Sequence, residues 1–195
     1  VYFYFMNKCS IAVFASGEGS NAENIVNYFK GNDAVNVVLI VSNKAGAGVL
    51  QRAEKLEVPH LLSQREELNN PTFLLLLEQQ KIDLIVLAGF LLKIPTYLIA
   101  AFSDRIINIH PALLPKYGGK GMYGDQVHKL VLLNKERQSG ITIHLVNEHY
   151  DEGKILFQKS CKVIANDEVR DLAERIHQLE YQYFPKIIED YINRF

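Results

Sequence analysis

The alternation of short, uninterrupted apolar runs with amphipathic segments constrains the fold of this chain more than any other feature of its sequence. An apolar run without polar alternation predicts a strand that is buried on both faces, as in parallel sheets covered by helices. Up to about residue 110, this alternation predicts a Rossmann-like, doubly wound α/β domain with a mostly parallel sheet. The predicted strands are Cys9–Ala15, Val35–Val41, Asp83–Ala88 and Arg105–Ile109.

The chain beyond this point has a different pattern. Two runs of alternating type, Gly140–Val146 and Lys154–Val163, predict a C-terminal antiparallel hairpin that extends the sheet. A long final helix, Asp167–Tyr191, is expected to pack back on the sheet and to be capped by Asn166 or Asp167. The other helices are predicted over Asn21–Lys30, Glu66–Lys81, Pro95–Ala101 and Asp125–Glu136, with a further Gly/Ala-rich helix after Lys44 that runs through Leu56.

Length and composition indicate one domain. The chain has 195 residues, of which 48% are hydrophobic and 22% charged, which is enough apolar material for one full core. We therefore expect a single domain over residues 6–195. Met6 is interpreted as the natural start, and residues 1–5 as vector-derived or upstream sequence.

Charge, hydropathy and cysteine content narrow the class of function. The net charge of −1 provides no long-range attraction to nucleic acid or to an anionic membrane, so neither is expected as a partner. No apolar run reaches the length that crosses a bilayer. The two cysteines, Cys9 and Cys161, form neither a disulfide framework nor a metal-ligand pattern, and they are interpreted as reduced thiols of a cytoplasmic protein.

A glycine-rich turn, Ser16–Asn21, follows the first predicted strand and opens the first helix. Glycine lets the backbone approach a ligand closely, and a helix N-terminus presents free N–H groups to an anion, so this turn predicts a phosphate site. The turn also matches the dinucleotide-binding pattern G-x-G-x-x-A. The second strand, however, ends in Ser42–Lys44 without the acidic residue that a dinucleotide's ribose requires. A dinucleotide site and a purely structural turn remain alternatives.

Polar residues cluster at the end of the fourth predicted strand. Asn108 and His110 are two residues apart, so both project to the same side, at the carboxyl edge where open α/β sheets bind ligands. An amide beside an imidazole suits an acyl carbonyl that becomes an oxyanion. Asp151, in the turn between the last two strands, and His144 are further candidates, with a turn former and a core histidine as the alternatives. No residue spacing predicts a metal site.

Taken together, these segments resemble the phosphoribosylglycinamide formyltransferase family of folate-dependent enzymes. The resemblance covers nearly the whole chain from Met6, with the segments in the family's order. The segment Asn108–Pro115 with a downstream Asp is specific to folate-dependent formyltransferases. The matching segments are Ser16–Asn21, Ser42–Lys44, Leu87–Phe90, Ile107–Tyr117, Ser139–His144 and Asp151–Gly153.

The resemblance implies transfer of a formyl group from 10-formyltetrahydrofolate to the amine of glycinamide ribonucleotide in purine biosynthesis, with no metal. By this resemblance, catalysis is carried out by Asn108, His110 and Asp151, with His144 in support. The acceptor's phosphate and ribose are bound by Gly19, Ser20, Asn21, His177 and Glu180. The folate is bound by Arg65, Leu91, Leu92, Lys93, Ile94, Asn108, Asn147 and Asp151. We expect a monomer or a weak homodimer.

The expected chemistry is attack of the neutral acceptor amine on the formyl carbon. Asn108 and a protonated His110 are expected to stabilise the oxyanion that forms. Asp151 is expected to keep His110 protonated, and to accept the amine's proton directly or through water.

Three other functions remain alternatives at this point. A formyltransferase for another phosphorylated amine, such as an amino sugar nucleotide, would share the phosphate loop and the three catalytic residues. An NAD(P)-binding oxidoreductase would use Gly17–Ala22 but would give these three residues no joint role. A carrier would bind folate or nucleotide without turnover. The loop Tyr117–Gln126 is interpreted as either a mobile lid or a long surface loop.

Overall fold

The structure is a computed structural model that describes residues 8–194. The interpretation of residues 1–5 as vector-derived or upstream sequence lies outside these described residues. Within residues 8–194, no helix combines the length and the apolar character needed to cross a membrane. The thiols of Cys9 and Cys161 are free and half-buried.

Seven strands form one sheet in the order β3-β2-β1-β4-β5-β6-β7. The strands are β1 Cys9–Phe14, β2 Val35–Ser42, β3 His60–Leu62, β4 Leu84–Leu87, β5 Ile106–His110, β6 Gln138–Leu145 and β7 Ile155–Lys162. Strands β1 to β5 are parallel, whereas β6 and β7 are antiparallel to their neighbours. The predicted α/β fold with a mostly parallel sheet, an antiparallel C-terminal hairpin and a long final helix is therefore confirmed.

Helices cover both faces of the sheet, as the doubly wound prediction requires. The helices are α1 Ser20–Phe29, α2 Gly48–Lys55, α3 Arg65–Leu68, α4 Thr72–Gln79, α5 Thr96–Ala101, α6 Asp125–Leu133 and α7 Val169–Ile192. One hydrophobic core lies beneath α1, α2, α6 and α7, and a second lies beneath α3, α4 and α5. Strands β1 and β4 contribute side chains to both cores, which explains their uninterrupted apolar sequences.

The segment between β2 and β4 differs from its prediction in two respects. The single helix predicted over Glu66–Lys81 is two helices, α3 and α4, because Pro71 lacks the N–H that would continue the first. The hydroxyl of Tyr97 donates to the carbonyl oxygens of Leu68 at 2.7 Å and Asn70 at 3.0 Å, so it satisfies carbonyls at this break. Strand β3, which pairs with β2 in only three positions, was not predicted as a strand.

The predicted cap of the final helix was wrong. The N-terminal cap of α7 is Glu168, and the N–H of Glu168 donates to the carboxylate of Asp171 at 2.9 Å. Asp167 instead receives two hydrogen bonds from the guanidinium of Arg175, both at 2.9 Å. Because the carboxylate of Asp167 is hydrogen-bonded to Arg175, it does not cap the helix. The cap is the next residue, Glu168, and α7 begins at Val169.

A proline inside α7 connects this helix to α1. Pro185 lies within the 24-residue helix and has no N–H to donate to the carbonyl oxygen of Tyr181, four residues earlier. The side chain of Asn24 donates to that carbonyl oxygen instead, at 3.0 Å. The hydrogen bond that the helix lacks is therefore supplied by α1, and it brings Glu180 of α7 next to the start of α1.

We expect Asn24→Ala to lower the free energy of unfolding by about 1–3 kcal/mol, because a buried carbonyl oxygen loses its partner. In a Pro185→Ala background the restored N–H satisfies Tyr181, so the same substitution should cost much less. Urea denaturation of the two single variants and the double variant measures this difference. Asn27→Ala, an exposed change on the same helix, is the control. Equal costs in both backgrounds would contradict the role assigned to Asn24.

Candidate active site

A cavity of about 790 Å³ opens at the carboxyl edge of the parallel strands. Loops after β1, β4 and β5, the turn between β6 and β7, and helices α6 and α7 contribute to its wall. The predicted site residues in this wall are Gly19, Ser20, Asn21, Leu91, Leu92, Lys93, Ile94, Asn108, His110, His144, Asn147, Asp151, His177 and Glu180. Arg65, exposed at the start of α3, does not line the cavity, and its contact with folate stays a prediction.

The glycine-rich turn forms the end of the cavity next to α1. Gly19 precedes the helix with a φ of 79°, and a Cβ at this position would lie 2.5 Å from the Cβ of Val49 on α2. A side chain at residue 19 would therefore be both strained and obstructed. No side chain caps α1, so the N–H groups of its first turn lack intrahelical partners and are available to an anion.

Glu180 lies beside this turn. It is 6% exposed, and its carboxylate accepts a hydrogen bond of 2.7 Å from the side-chain amide of Asn21. Burial raises the pKa of Glu180, against the opposing effects of the Asn21 hydrogen bond and of His177. His177 lies on the exposed side of α7, where its ring stacks on that of Tyr181. The first and last helices thus supply adjacent polar groups at one end of the cavity.

Four polar residues of the cavity wall lie close together. The side-chain nitrogen of Asn108 lies 3.0 Å from Nε2 of His144. Nδ1 of His144 donates to the carbonyl oxygen of Leu145 at 2.8 Å, so Nε2 is the acceptor for Asn108. The two carboxylate oxygens of Asp151 lie 3.5 Å from Nε2 of His144 and 3.6 Å from Nδ1 of His110. The structure therefore brings the predicted amide, imidazoles and carboxylate together.

The burial of His110 acts against the charge that was expected on its ring. Nε2 of His110 lies 2.8 Å from the carbonyl oxygen of Tyr117, so this nitrogen carries the hydrogen and Nδ1 faces Asp151. Burial lowers the pKa of His110 below its ordinary value, and it outweighs the opposing effects of Asp151 and of the Tyr117 carbonyl. Burial thus favours the neutral form of the imidazole, because a largely desolvated ring disfavours the charged form.

Asp151 keeps its negative charge in this enclosed setting. Burial alone would raise the pKa of Asp151, but the proximity of His144 and of His110 and the N–H of Gly119 together lower it. The N–H of Gly119 donates to the carboxylate at 2.8 Å. The turn depends on Gly153, where a Cβ would lie 1.7 Å from the carbonyl oxygen of Leu145. Residues 119–124 of the long loop line the cavity, so this loop forms part of its wall.

Buried hydrogen bonds hold the loop after β5 in place. The hydroxyl of Thr142 on β6 donates to the carbonyl oxygen of Ala112 at 2.6 Å and accepts the N–H of Leu114 at 3.0 Å. The side chain of Gln158 on β7 donates to the carbonyl oxygen of Leu114 and to Thr142, at 3.0 and 2.9 Å. The antiparallel hairpin therefore fixes the backbone that follows His110.

The cavity wall also contains residues that were not identified from the sequence as site residues, and Ser16, Lys44 and His128 are among them. Ser16 and Lys44 follow β1 and β2, and His128 lies on α6. His128 is 2% exposed, and burial, together with His177 and His110, lowers its pKa to about 4. Its apolar neighbours on α6 gave it the sequence pattern of a core residue. Across residues 8–194, no three His, Cys, Asp or Glu side chains group in a way that could hold a metal ion.

Comparisons with known proteins identify relatives of this fold. Similar solved structures include the phosphoribosylglycinamide formyltransferase of Anaplasma phagocytophilum, with 28% sequence identity, a TM-score of 0.87, and coverage of 96% of this chain and 89% of that one. That of Streptococcus pneumoniae has 32% identity and a TM-score of 0.83, with coverage of 93% of this chain and 98% of that one.

Relatives by sequence carry the same name. The phosphoribosylglycinamide formyltransferase of Bacillus subtilis is 35% identical over 91% of this chain and 92% of its own length. The chloroplastic enzyme of Arabidopsis thaliana is 43% identical over 91% of this chain, and that of Vigna unguiculata is 41% identical over 94%. This chain spans only 63% and 61% of those two plant proteins.

The family model described as formyl transferase matches residues 9–188, which include all the strands and nearly all of α7. The chain therefore belongs to the formyl transferase family.

Proposed function

We propose that this chain transfers a formyl group from 10-formyltetrahydrofolate to the amine of glycinamide ribonucleotide, a step of purine biosynthesis. The observation that carries the proposal is the proximity of Asn108, His110 and Asp151 in the wall of a cavity that also contains the start of α1, with its free backbone N–H groups. The names of the bacterial and plant relatives support the same reaction. An NAD(P)-binding oxidoreductase would leave the three side chains without a shared role.

The acceptor occupies the α1 end of the cavity in this proposal. Its phosphate lies against the N–H groups of Gly19, Ser20 and Asn21, where a helix N-terminus favours negative charge. Glu180, fixed by Asn21, accepts hydrogen bonds from the ribose hydroxyls. His177, on the same face of the cavity, is a further phosphate ligand.

The folate occupies the opposite end. Its pterin lies against the backbone of Leu91–Ile94, and the turn around Asn147 closes the other side. This wall carries the apolar side chains of Leu92 and Ile94, which suit the flat faces of an aromatic ring system. The ammonium group of Lys93 lies 5.5 Å from the ring centroid of Tyr150, so a cation–π contact spans the two walls.

The neutral His110 changes the expected order of proton transfers. As the amine nitrogen attacks the formyl carbon, Nδ1 of His110 takes the proton that the amine loses, directly or through water. The nearby carboxylate of Asp151 stabilises the imidazolium that results. Asn108 donates to the oxyanion of the tetrahedral intermediate.

The intermediate then collapses to products. The carbonyl bond reforms as the bond between the formyl carbon and N10 of the folate breaks, and the imidazolium returns its proton to N10. The products are formylated acceptor and tetrahydrofolate, with no net change in the enzyme's protons. Asp151 acts as the charge that favours the protonated histidine, and it stays ionised throughout.

The proposal is tested by following the absorbance change when 10-formyl-dideazafolate loses its formyl group. We expect turnover with glycinamide ribonucleotide, and none with an amino sugar nucleotide or without an acceptor. The second acceptor represents the alternative formyltransferase, which would share the phosphate loop and the catalytic residues. Turnover with the amino sugar nucleotide alone would assign the chain to that reaction, and folate binding without any turnover would indicate a carrier.

We expect Asp151→Asn to lower kcat by about 10²- to 10⁴-fold, because the imidazolium of His110 loses its counter-charge in a buried site. Acceptor affinity should change less than about twofold, since the phosphate loop is untouched. Steady-state kinetics and calorimetric titration separate these effects. Glu152→Gln, an exposed neighbour in the same turn, is the matched control. A normal kcat in Asp151→Asn would remove this residue from the mechanism.

The pKa of His110 should be measurable by NMR titration of its ring protons in the ligand-free protein. Since burial lowers this pKa, we expect His110 to be protonated only below the ordinary imidazole range. Asp151 opposes the burial effect, so Asp151→Asn should move the pKa of His110 further down, and the ring should stay neutral to lower pH. His110→Gln identifies the resonance. A pKa at or above the ordinary value would restore the protonated histidine of the sequence-based mechanism.

A further inference from the structure

Ser16 connects the two ends of the cavity through one buried hydroxyl group. The residue lies just after β1, as the first residue of the glycine-rich turn, and is 2% exposed. Its hydroxyl donates to the side-chain oxygen of Asn43 and accepts the N–H of Leu91 at 2.8 Å. A single oxygen atom therefore joins segments that follow three different strands.

The backbone of Ser16 makes a further connection to the same loop. Its N–H donates to the carbonyl oxygen of Gly89 at 3.0 Å. Gly89 has a φ of 77°, so the chain turns sharply there, two residues before Leu91. The loop after β4 is thus held at two points by one residue of the loop after β1.

We infer that Ser16 is a positioning residue, which sets the folate-binding backbone of Leu91–Ile94 in register with the phosphate loop that follows it. The inference rests on the proposed function for the identity of the two ligands. The N–H of Leu91 is occupied by Ser16, so contacts with the pterin fall to the backbone groups that come after it. The hydroxyl touches neither reacting atom.

The hydrogen-bonding capacity of the hydroxyl explains why alanine is not equivalent here. Alanine would leave the N–H of Leu91 and the oxygen of Asn43 without this partner, and the loop would keep only its backbone bond to Ser16. The glycine-rich turn would keep its contacts with α2, because the N–H of Val49 donates to the carbonyl oxygen of Gly17 independently of Ser16. The loss should therefore fall mainly on the folate end.

The test compares Ser16→Ala with Ser139→Ala. Ser139 is also 2% exposed, but its hydroxyl has no hydrogen-bond partner, so it controls for the removal of a buried hydroxyl group. We expect Ser16→Ala to raise the Kd for 10-formyl-dideazafolate about tenfold, while the KM for glycinamide ribonucleotide and kcat at saturating folate change less than about threefold. Ser139→Ala should leave all three values unchanged.

Amide hydrogen exchange of the ligand-free protein gives a readout that does not depend on any substrate. The N–H of Leu91 should exchange faster in Ser16→Ala than in the wild type, and those of β1 should not. Asn43→Ala, which removes the acceptor of the Ser16 hydroxyl, should shift folate affinity in the same direction by a smaller factor, so the inference stays testable if Ser16→Ala fails to fold.

The outcomes separate this inference from the proposed function. If the wild type binds no folate analogue, the proposed function fails, whatever the exchange data show. If the wild type binds and transfers normally, but Ser16→Ala has wild-type folate affinity, the positioning role is refuted and the function stands. An equal loss of folate and acceptor affinity would also refute it, because it would indicate general damage to the sheet edge.

Discussion

The desolvated carboxylate of Asp151 is the interaction on which the site depends. A buried negative charge is costly unless it is hydrogen-bonded or paired, and Asp151 has an imidazole on each side and the N–H of Gly119. These partners come from β5, β6 and the long loop after β5, so three segments of the chain contact the same carboxylate. The arrangement favours the ionised form of Asp151, and burial favours the neutral form of His110, as the proposed base and its counter-charge require.

The register between strands β5 and β6 sets the positions of the side chains in this arrangement. His110 pairs with Thr142, and Asn108 pairs with His144, in the antiparallel register of β5 and β6. A shift of one residue would turn both partners away from the cavity, because successive side chains of a strand alternate in direction. The hairpin of β6 and β7 therefore does more than widen the sheet, since it sets the candidate catalytic side chains of β5 opposite those of β6.

Much of this could be predicted from local sequence patterns. The buried strands, the glycine-rich turn and the spacing of Asn108 and His110 are all encoded over a few residues, and the structure has them. The errors have tertiary causes. The capping role expected of Asp167 is prevented by Arg175, from the next turns of α7, and the charge expected on His110 is opposed by burial that no local pattern reveals. Ser16 was treated as part of a turn because its partners are 27 and 75 residues away.

Asn24 replaces the missing N–H of Pro185, and this contact between α1 and α7 can form only late in the synthesis of the chain. Every other described element leaves the ribosome before α7, and the phosphate loop is among the earliest. Until α7 has been translated, Asn24 has no Tyr181 carbonyl to engage and Asn21 has no Glu180 beside it. A nascent chain can already fold its first strands, but the contact between Asn21 and Glu180 in the cavity wall forms only after α7 has been translated.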